Sequence, residues 1–269
     1  MQFTRDECCI LNSGNGSWAF EPLAKQLSDC LGIAVSDKAR RFNYLLHVEN
    51  MQLLGNCPSF IPVEAIRLAS DKRLLAKVFN EHKVPTPETR IIETFDLVRS
   101  FIAANKAKQW CLKYPTSCGA NGHMFVVDTT AEPANWPKPF VVQEFIQLHE
   151  PEVYRIYCAG GELFGWVVRR YPEGKNPSPW VAHARGAQYA ILRQPPAAAS
   201  EAARAALVAT GLINSFGCAD LLCKPDGDWV VLEVGTDGLF NHVDRNLGNS
   251  DFEKELNQRI AHAIWRSAS

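Results

Sequence analysis

The sequence is poor in several features, and each shortage narrows what the chain can do. Its 269 residues hold 28 Lys and Arg against 29 Asp and Glu, a formal net charge of -1. Without excess positive charge, a broad nucleic-acid-binding surface is not expected, because such surfaces work by neutralising phosphates. No apolar run approaches the roughly 20 residues needed to span a bilayer. The stretch Met1 to Glu7 lacks the charged-then-apolar order of a secretory signal. The nine cysteines are odd in number and include no Cys-x-x-Cys pair. That usage points to reduced thiols and a cytoplasmic location, with Cys8, Cys9, Cys218 and Cys223 read as small buried hydrophobes. The Walker spacing of phosphate-binding loops is absent, as is any clear Ser-His-Asp or Cys-His arrangement.

What is present suits an ordinary globular chain: 46% hydrophobic residues and enough length for a real core. Residues 8–12 read as a strand, and 18–31 carry helical spacing through Phe20, Leu23, Leu27 and Leu31. Short strands near Ile33–Val35 and Tyr44–Val48 complete a small α/β unit. Ser70 is expected to cap a helix bearing Leu74, Leu75, Val78 and Phe79, and Thr94 a second helix reaching about Asn105. Strands follow at Gln109–Tyr114, His123–Val127 and Phe140–Ile146. Val153–Cys158 and Leu163–Arg170 flank Gly160-Gly161, a hairpin signal. Residues 171–188 read as a loop and Glu201–Thr210 as a helix. Gly217–Cys223 and Trp229–Val234 flank a second turn, Asp226-Gly227, and residues 251–266 read as a closing helix. Helices interleaved with hairpins imply α+β architecture with antiparallel sheets.

The last hairpin carries the sharpest chemical signal. A two-residue turn at Asp226-Gly227 places Asp220 directly opposite Glu233. Facing carboxylates destabilise a sheet. A hard divalent cation would compensate; alternatively, one carboxylate faces solvent or takes up an arginine. Asp237 and Asn241, in the small-residue loop that follows, are possible further ligands.

Other residues fit a nucleotide. Lys113 ends an apolar strand just before the small-residue loop at 115–122, where backbone N–H groups can approach phosphate oxygens. Lys72 sits at a helix start, where its charge opposes the dipole. Gln143 and Glu144 interrupt an apolar strand, and either a purine edge or the protein surface would satisfy them. Arg155, Arg169, Arg170 and Arg185 lie near the same hairpins and could stabilise phosphoryl transfer.

In this order the elements resemble the ATP-grasp superfamily, most closely its RimK-like branch of carboxylate–amine ligases. The resemblance covers roughly residues 66–266 and rests on Ser70-Asp71-Lys72, Leu112-Lys113-Tyr114-Pro115, Val142-Gln143-Glu144-Phe145-Ile146, Arg155 through Arg169, and the pair Asp220 and Glu233. It implies a small pre-ATP-grasp domain at 1–65 and an ATP-grasp domain at 66–269, divided into an N-terminal subdomain (66–146) and a metal-binding C-terminal subdomain (147–269). It implies ATP held between two antiparallel sheets by Lys72, Lys113, the Gln143–Ile146 hinge and Glu152. It also implies one or two Mg2+ ions, replaceable by Mn2+, on Asp220 and Glu233, with Asp237 or Asn241 in support. Arg155 and Arg169 are the implied catalytic residues. The activity implied is amide formation through an acyl phosphate, between small-molecule or peptide substrates, in a homodimer. The alternatives are an ATP-grasp phosphotransferase and a degenerate nucleotide-binding partner protein. This sequence departs from the family pattern at Val153, where Asp is usual, and at Gly235, where Asn is usual.

Overall fold

The structure is a computed structural model. It describes all residues except 1–2, 15–19, 49, 118, 120, 175–177, 237–242, 244–246, 249 and 269. The expected metal-loop residues Asp237 and Asn241 thus lie outside the described residues.

Three sheets organise the chain. The first is parallel, in the order β2 (Ala34–Ser36), β1 (Cys8–Asn12), β3 (Phe42–His47). Its central strand is apolar on both faces, as a covered parallel strand requires, and Cys8, Cys9, Ile10 and Leu11 are fully buried. Helix α1 (Glu21–Leu31) packs on it and stops at Gly32, whose φ of 66° ends the helix in the left-handed region.

Helix α2 (Val63–Ser70) was not legible in the sequence, and it displaces the expected cap. Ser70 ends α2 and donates its hydroxyl back to the Ile66 carbonyl at 2.7 Å. Asp71 caps α3 (Lys72–Glu81) instead, accepting the Arg73 N–H at 2.9 Å. A carboxylate at a helix N-terminus meets both the free donors and the dipole, so Asp wins over the neighbouring Ser.

The second sheet is antiparallel, in the order β4 (Thr89–Ile92), β7 (Phe140–Glu144), β5 (Trp110–Lys113), β6 (His123–Val126). Helix α4 (Phe95–Ala104), capped by Thr94 as expected, covers one face. Phe95, Val98, Ile102, Trp110, Leu112, Val126, Phe140 and Val142 form a core of their own there. Strand alternation sends Cys111, Lys113, His123, Phe125 and Gln143 to the opposite face.

The third sheet is antiparallel, in the order β10 (Gln188–Ile191), β9 (Glu162–Arg170), β8 (Glu152–Ala159), β11 (Phe216–Cys223), β12 (Trp229–Gly235). Helices α5 (Ala197–Ala209) and α6 (Asp251–Ala268) complete this part of the chain. Strand β10 corrects the reading of 171–188 as loop throughout: Gln188 already pairs with Arg170. Ile10, Leu27 and Leu31 of the first unit share one continuous core with Ile156, Leu256 and Ile264 of the third. The architecture is thus α+β, with two antiparallel sheets and a small parallel one, as expected.

The last hairpin reaches the expected pairing by an unexpected route. Its turn spans three residues, closed by the Lys224 N–H donating to Asp228 C=O at 2.8 Å, with Gly227 at φ 90°. That turn shifts the register near the tip, so Cys223 rather than Lys224 faces Trp229. A bulge between Val231 and Glu233 takes up the difference, and Asp220 does face Glu233. Two one-residue irregularities cancel.

Candidate active site

The two antiparallel sheets line one cleft of about 950 Å³. On the second sheet, Lys113 projects from the end of β5. Among the described residues its side chain forms no hydrogen bond or ion pair. A half-buried ammonium without an anion is costly, which marks this wall as a place for a negative ligand. Lys72, at the start of α3, donates from Nζ to the Ser117 carbonyl, and its N–H donates to Pro115 C=O at 3.0 Å. It thereby pins the small-residue loop against Lys113. Tyr114 N–H donates to Gly122 C=O at 2.7 Å, closing that loop at its base.

The expected hinge divides its duties. Gln143 is buried in the cleft wall and donates from Nε2 to Thr89 Oγ1 at 2.9 Å. Glu144 turns its carboxylate to the outer side, where Lys108 donates to it at 3.1 Å. Lys108 therefore meets the need that a purine edge was expected to fill at Glu144. Phe145 and Ile146 line the cleft. Glu152, at its rim, accepts from the Tyr154 hydroxyl and from Arg170 at 3.5 Å.

On the third sheet, cross-strand register sets Arg155, Asp220 and Glu233 in one row. Asp220 is only 2% exposed. Arg155 grips it from Nε at 2.6 Å and from Nη2 at 3.1 Å, and Arg169 donates a third hydrogen bond to Oδ2. Burial alone would raise the Asp220 pKa, but the two guanidinium groups hold it down to about 2. Two arginines thus take up Asp220, one of the alternatives to a cation left open by the sequence.

Two groups on this wall lack a hydrogen-bond partner among the described residues. Arg169 Nε is buried without an acceptor. Glu233 is half-buried at the cleft; it lies in the field of Arg169 but forms no side-chain hydrogen bond or ion pair among the described residues. Among the described residues, no three His, Cys, Asp or Glu side chains form a metal-holding group. The oxygen donors on hand for a hard cation are therefore Glu233 and what Asp220 leaves uncommitted. A partial set of this kind suits Mg2+, which is held by one or two carboxylates plus substrate phosphates.

Sequence reasoning passed over His123, Phe125 and Trp180, which all line the same cleft. His123 was legible in principle, since it pairs with Lys113 across the hairpin. Trp180 was not, because it comes from the segment between β9 and β10 and reaches over by tertiary packing alone.

The model of a family described as ATP-grasp domain matches residues 69–235. No curated protein sequence matches the chain. Among solved structures, D-cycloserine synthetase DcsG superposes with a TM-score of 0.70 at 18% identity, over 97% of this chain and 100% of that one. D-alanine–D-alanine ligase from Bacillus anthracis complexed with ATP gives 0.65 at 14% identity, over 99% and 97%. Macrocyclase MdnC bound with precursor peptide MdnA, from Microcystis aeruginosa MRC, gives 0.64 at 12% identity, over 97% and 100%. At these identities the likeness is one of fold.

Proposed function

The chain belongs to the ATP-grasp family, and from that premise we propose that it is a ligase that activates a carboxylate with ATP and joins it to an amine. One observation carries the reading: the unpaired Lys113 and Glu233 and the unmet Arg169 Nε all border one cleft. Cation and anion left open in a shared space fit a ligand that brings both phosphate and metal.

In this reading Lys72 and Lys113 hold the phosphates, and the loop at 115–122 supplies backbone N–H groups between them. Glu233, supported by Asp220, would hold Mg2+, which supplies charge neutralisation on the transferring phosphoryl group. Asp237 and Asn241 are the further ligands proposed. The open Nε of Arg169 is aimed at an anion, either the attacking carboxylate or the phosphoryl oxygens. Arg155 fixes Asp220, and through it the orientation of Arg169. The carboxylate attacks the γ-phosphorus, ADP leaves, and the amine then displaces phosphate from the acyl phosphate. Trp180 and Val181, which line the cleft, would help to exclude water from that labile species.

The unit at residues 1–65 and the loop after Gly235 are proposed to select the carboxylate and the amine. One similar structure was solved with a precursor peptide and another is a D-alanine–D-alanine ligase. Free amino acids and peptides therefore head the substrate screen. A second reading, nucleotide binding without turnover, is favoured by the two arginines on Asp220 and by Gly235 in place of Asn.

Thermal unfolding with an ATP analogue, with and without Mg2+, tests the site. At 100 times its dissociation constant the ligand adds about 2.7 kcal/mol. We expect that gain in wild type with Mg2+, and a much smaller one in Glu233→Gln. Phosphate release during the substrate screen then separates a ligase from a silent binder. No shift at saturating nucleotide, with or without metal, would sink the proposal.

A further inference from the structure

Asp220 is committed before any metal ion arrives. In register it is flanked by Arg155 on one side and Glu233 on the other, and directly opposite residues stand about 5 Å apart at Cβ. The strand ladder, rather than one rotamer, therefore keeps a guanidinium beside it. Three N–H donors from Arg155 and Arg169 already engage both of its oxygens. A carboxylate has about four lone-pair sites, so roughly one is left over. Both arginines are themselves largely buried, with side chains 12% and 10% exposed. A divalent cation on Asp220 would have to displace a buried guanidinium or stand against two of them, and both are unfavourable. The next position offers no replacement. One step along the same face of β12 is Gly235, opposite Cys218, and neither side chain carries an oxygen. Of the two carboxylates in the row, Glu233 alone is open to a metal ion, and the cluster of two arginines and two carboxylates is already formally neutral.

We propose that the site takes one divalent cation rather than two, held from Glu233, and that Arg169, braced by Arg155 through Asp220, stands where a second cation would. Asp220 is then a positioning residue for the arginine pair and not a metal ligand. The inference rests on the nucleotide-binding reading above and narrows its metal site. Two-metal sites hold their ions roughly 3.5–4 Å apart and divide the charge of a transferring phosphoryl group between them. A guanidinium can take one of those parts, because it is permanently charged, weakly hydrated and forked to match phosphate oxygens. The Arg169 Nε, buried without an acceptor, is the N–H left to do so.

Mn2+ replaces Mg2+ in the test, because its paramagnetic resonance spectrum tells an isolated ion from a close pair. Wild type saturated with a non-hydrolysable ATP analogue is expected to hold one Mn2+ per chain by equilibrium dialysis, with the hyperfine pattern of an isolated ion. Two ions per chain would overturn the proposal, and a spin-coupled spectrum would identify them as a close pair. A second arm reads the arginine without metal. In EDTA, calorimetry with inorganic tripolyphosphate should show Arg169→Gln binding at least about tenfold more weakly than wild type. Arg169→Lys, which keeps the charge but not the fork, should fall between the two. The proposal also fails if wild type binds tripolyphosphate only with metal, or if Arg169→Gln binds it as wild type does. The wild-type Mn2+ count decides even if a variant does not fold. Wild type that binds neither the analogue nor tripolyphosphate under any condition would overturn the functional reading itself, a result distinct from the others.

Discussion

At the scale of single residues, the chemistry is set by which charges are answered and which are not. Asp220 is answered twice, so removing its charge strands two buried guanidinium groups. Asp220→Asn should cost about 3–5 kcal/mol of folding stability, measurable by urea unfolding. Glu233→Gln removes an unpaired charge at the cleft and should be near neutral for stability while weakening metal-dependent nucleotide binding. His123 gives a signature in pH. Its folded pKa of about 3 lies below the ordinary value near 6.5. Between those two values the unfolded chain binds a proton that the folded chain does not, so stability falls as pH drops through that window. Melting temperatures from pH 7 to 4 should therefore decline more steeply in wild type than in His123→Asn. The sequence made the residue types legible, because Lys113 beside a small-residue loop and Asp220 across from Glu233 are local patterns. It could not show that Arg169 closes on Asp220, since β9 is separated from β11 by β8 in the sheet.

At the scale of elements, strand alternation and turn chemistry made most of the fold legible. Cap competition and edge strands hid the remainder. Ser70 and Asp71 are both good caps, and α2, by taking Ser70 as its last residue, adds to the advantage of the carboxylate. Strand β10 is short and follows a loop, so its pairing with β9 is a tertiary matter. The carboxylate hairpin was read correctly at Asp220 and Glu233 despite a misjudged turn, because the bulge restores the register. That bulge has a use: Leu232 and Glu233 both line the cleft, whereas Val231 before them belongs to the core. An apolar surface and a carboxylate thus stand side by side on one strand, which strict alternation forbids. The phosphate loop has its own constraint at Gly122, where φ is 68° and an added Cβ would stand 2.5 Å from Tyr114 Cβ. Gly122→Ala should cost at least the roughly 1–2 kcal/mol of a left-handed non-glycine residue. It should also lower tripolyphosphate affinity, because the loop at 115–122 can no longer close on Lys72; unchanged affinity would separate loop shape from phosphate binding.

At the scale of the molecule, the two walls of the cleft belong to different cores. The second sheet and α4 pack on themselves, whereas the first and third sheets share one interior. The walls meet where the Trp180 ring packs on Phe125 and Phe145, and through a backbone bond from Val231 N–H to Pro85 C=O at 2.8 Å. Amide exchange should consequently resolve two cooperative openings, the smaller confined to β4–β7 and α4, with nucleotide raising its protection toward that of the remainder. A single opening shared by all strands would contradict this division.

The shared interior also bears on how the chain is made. The larger body needs β1 and α1 from early in the sequence and α6 from late in it, with Leu31 and Ile264 in one cluster. The lobe holding Lys113 and His123 needs nothing beyond Phe140–Glu144. During synthesis that lobe can fold as soon as β7 emerges, while the first sheet waits with its apolar strand only partly covered until the last helix arrives. A nascent chain arrested once β7 has cleared the ribosome should thus already protect the phosphate wall from protease, and leave the first unit open to it.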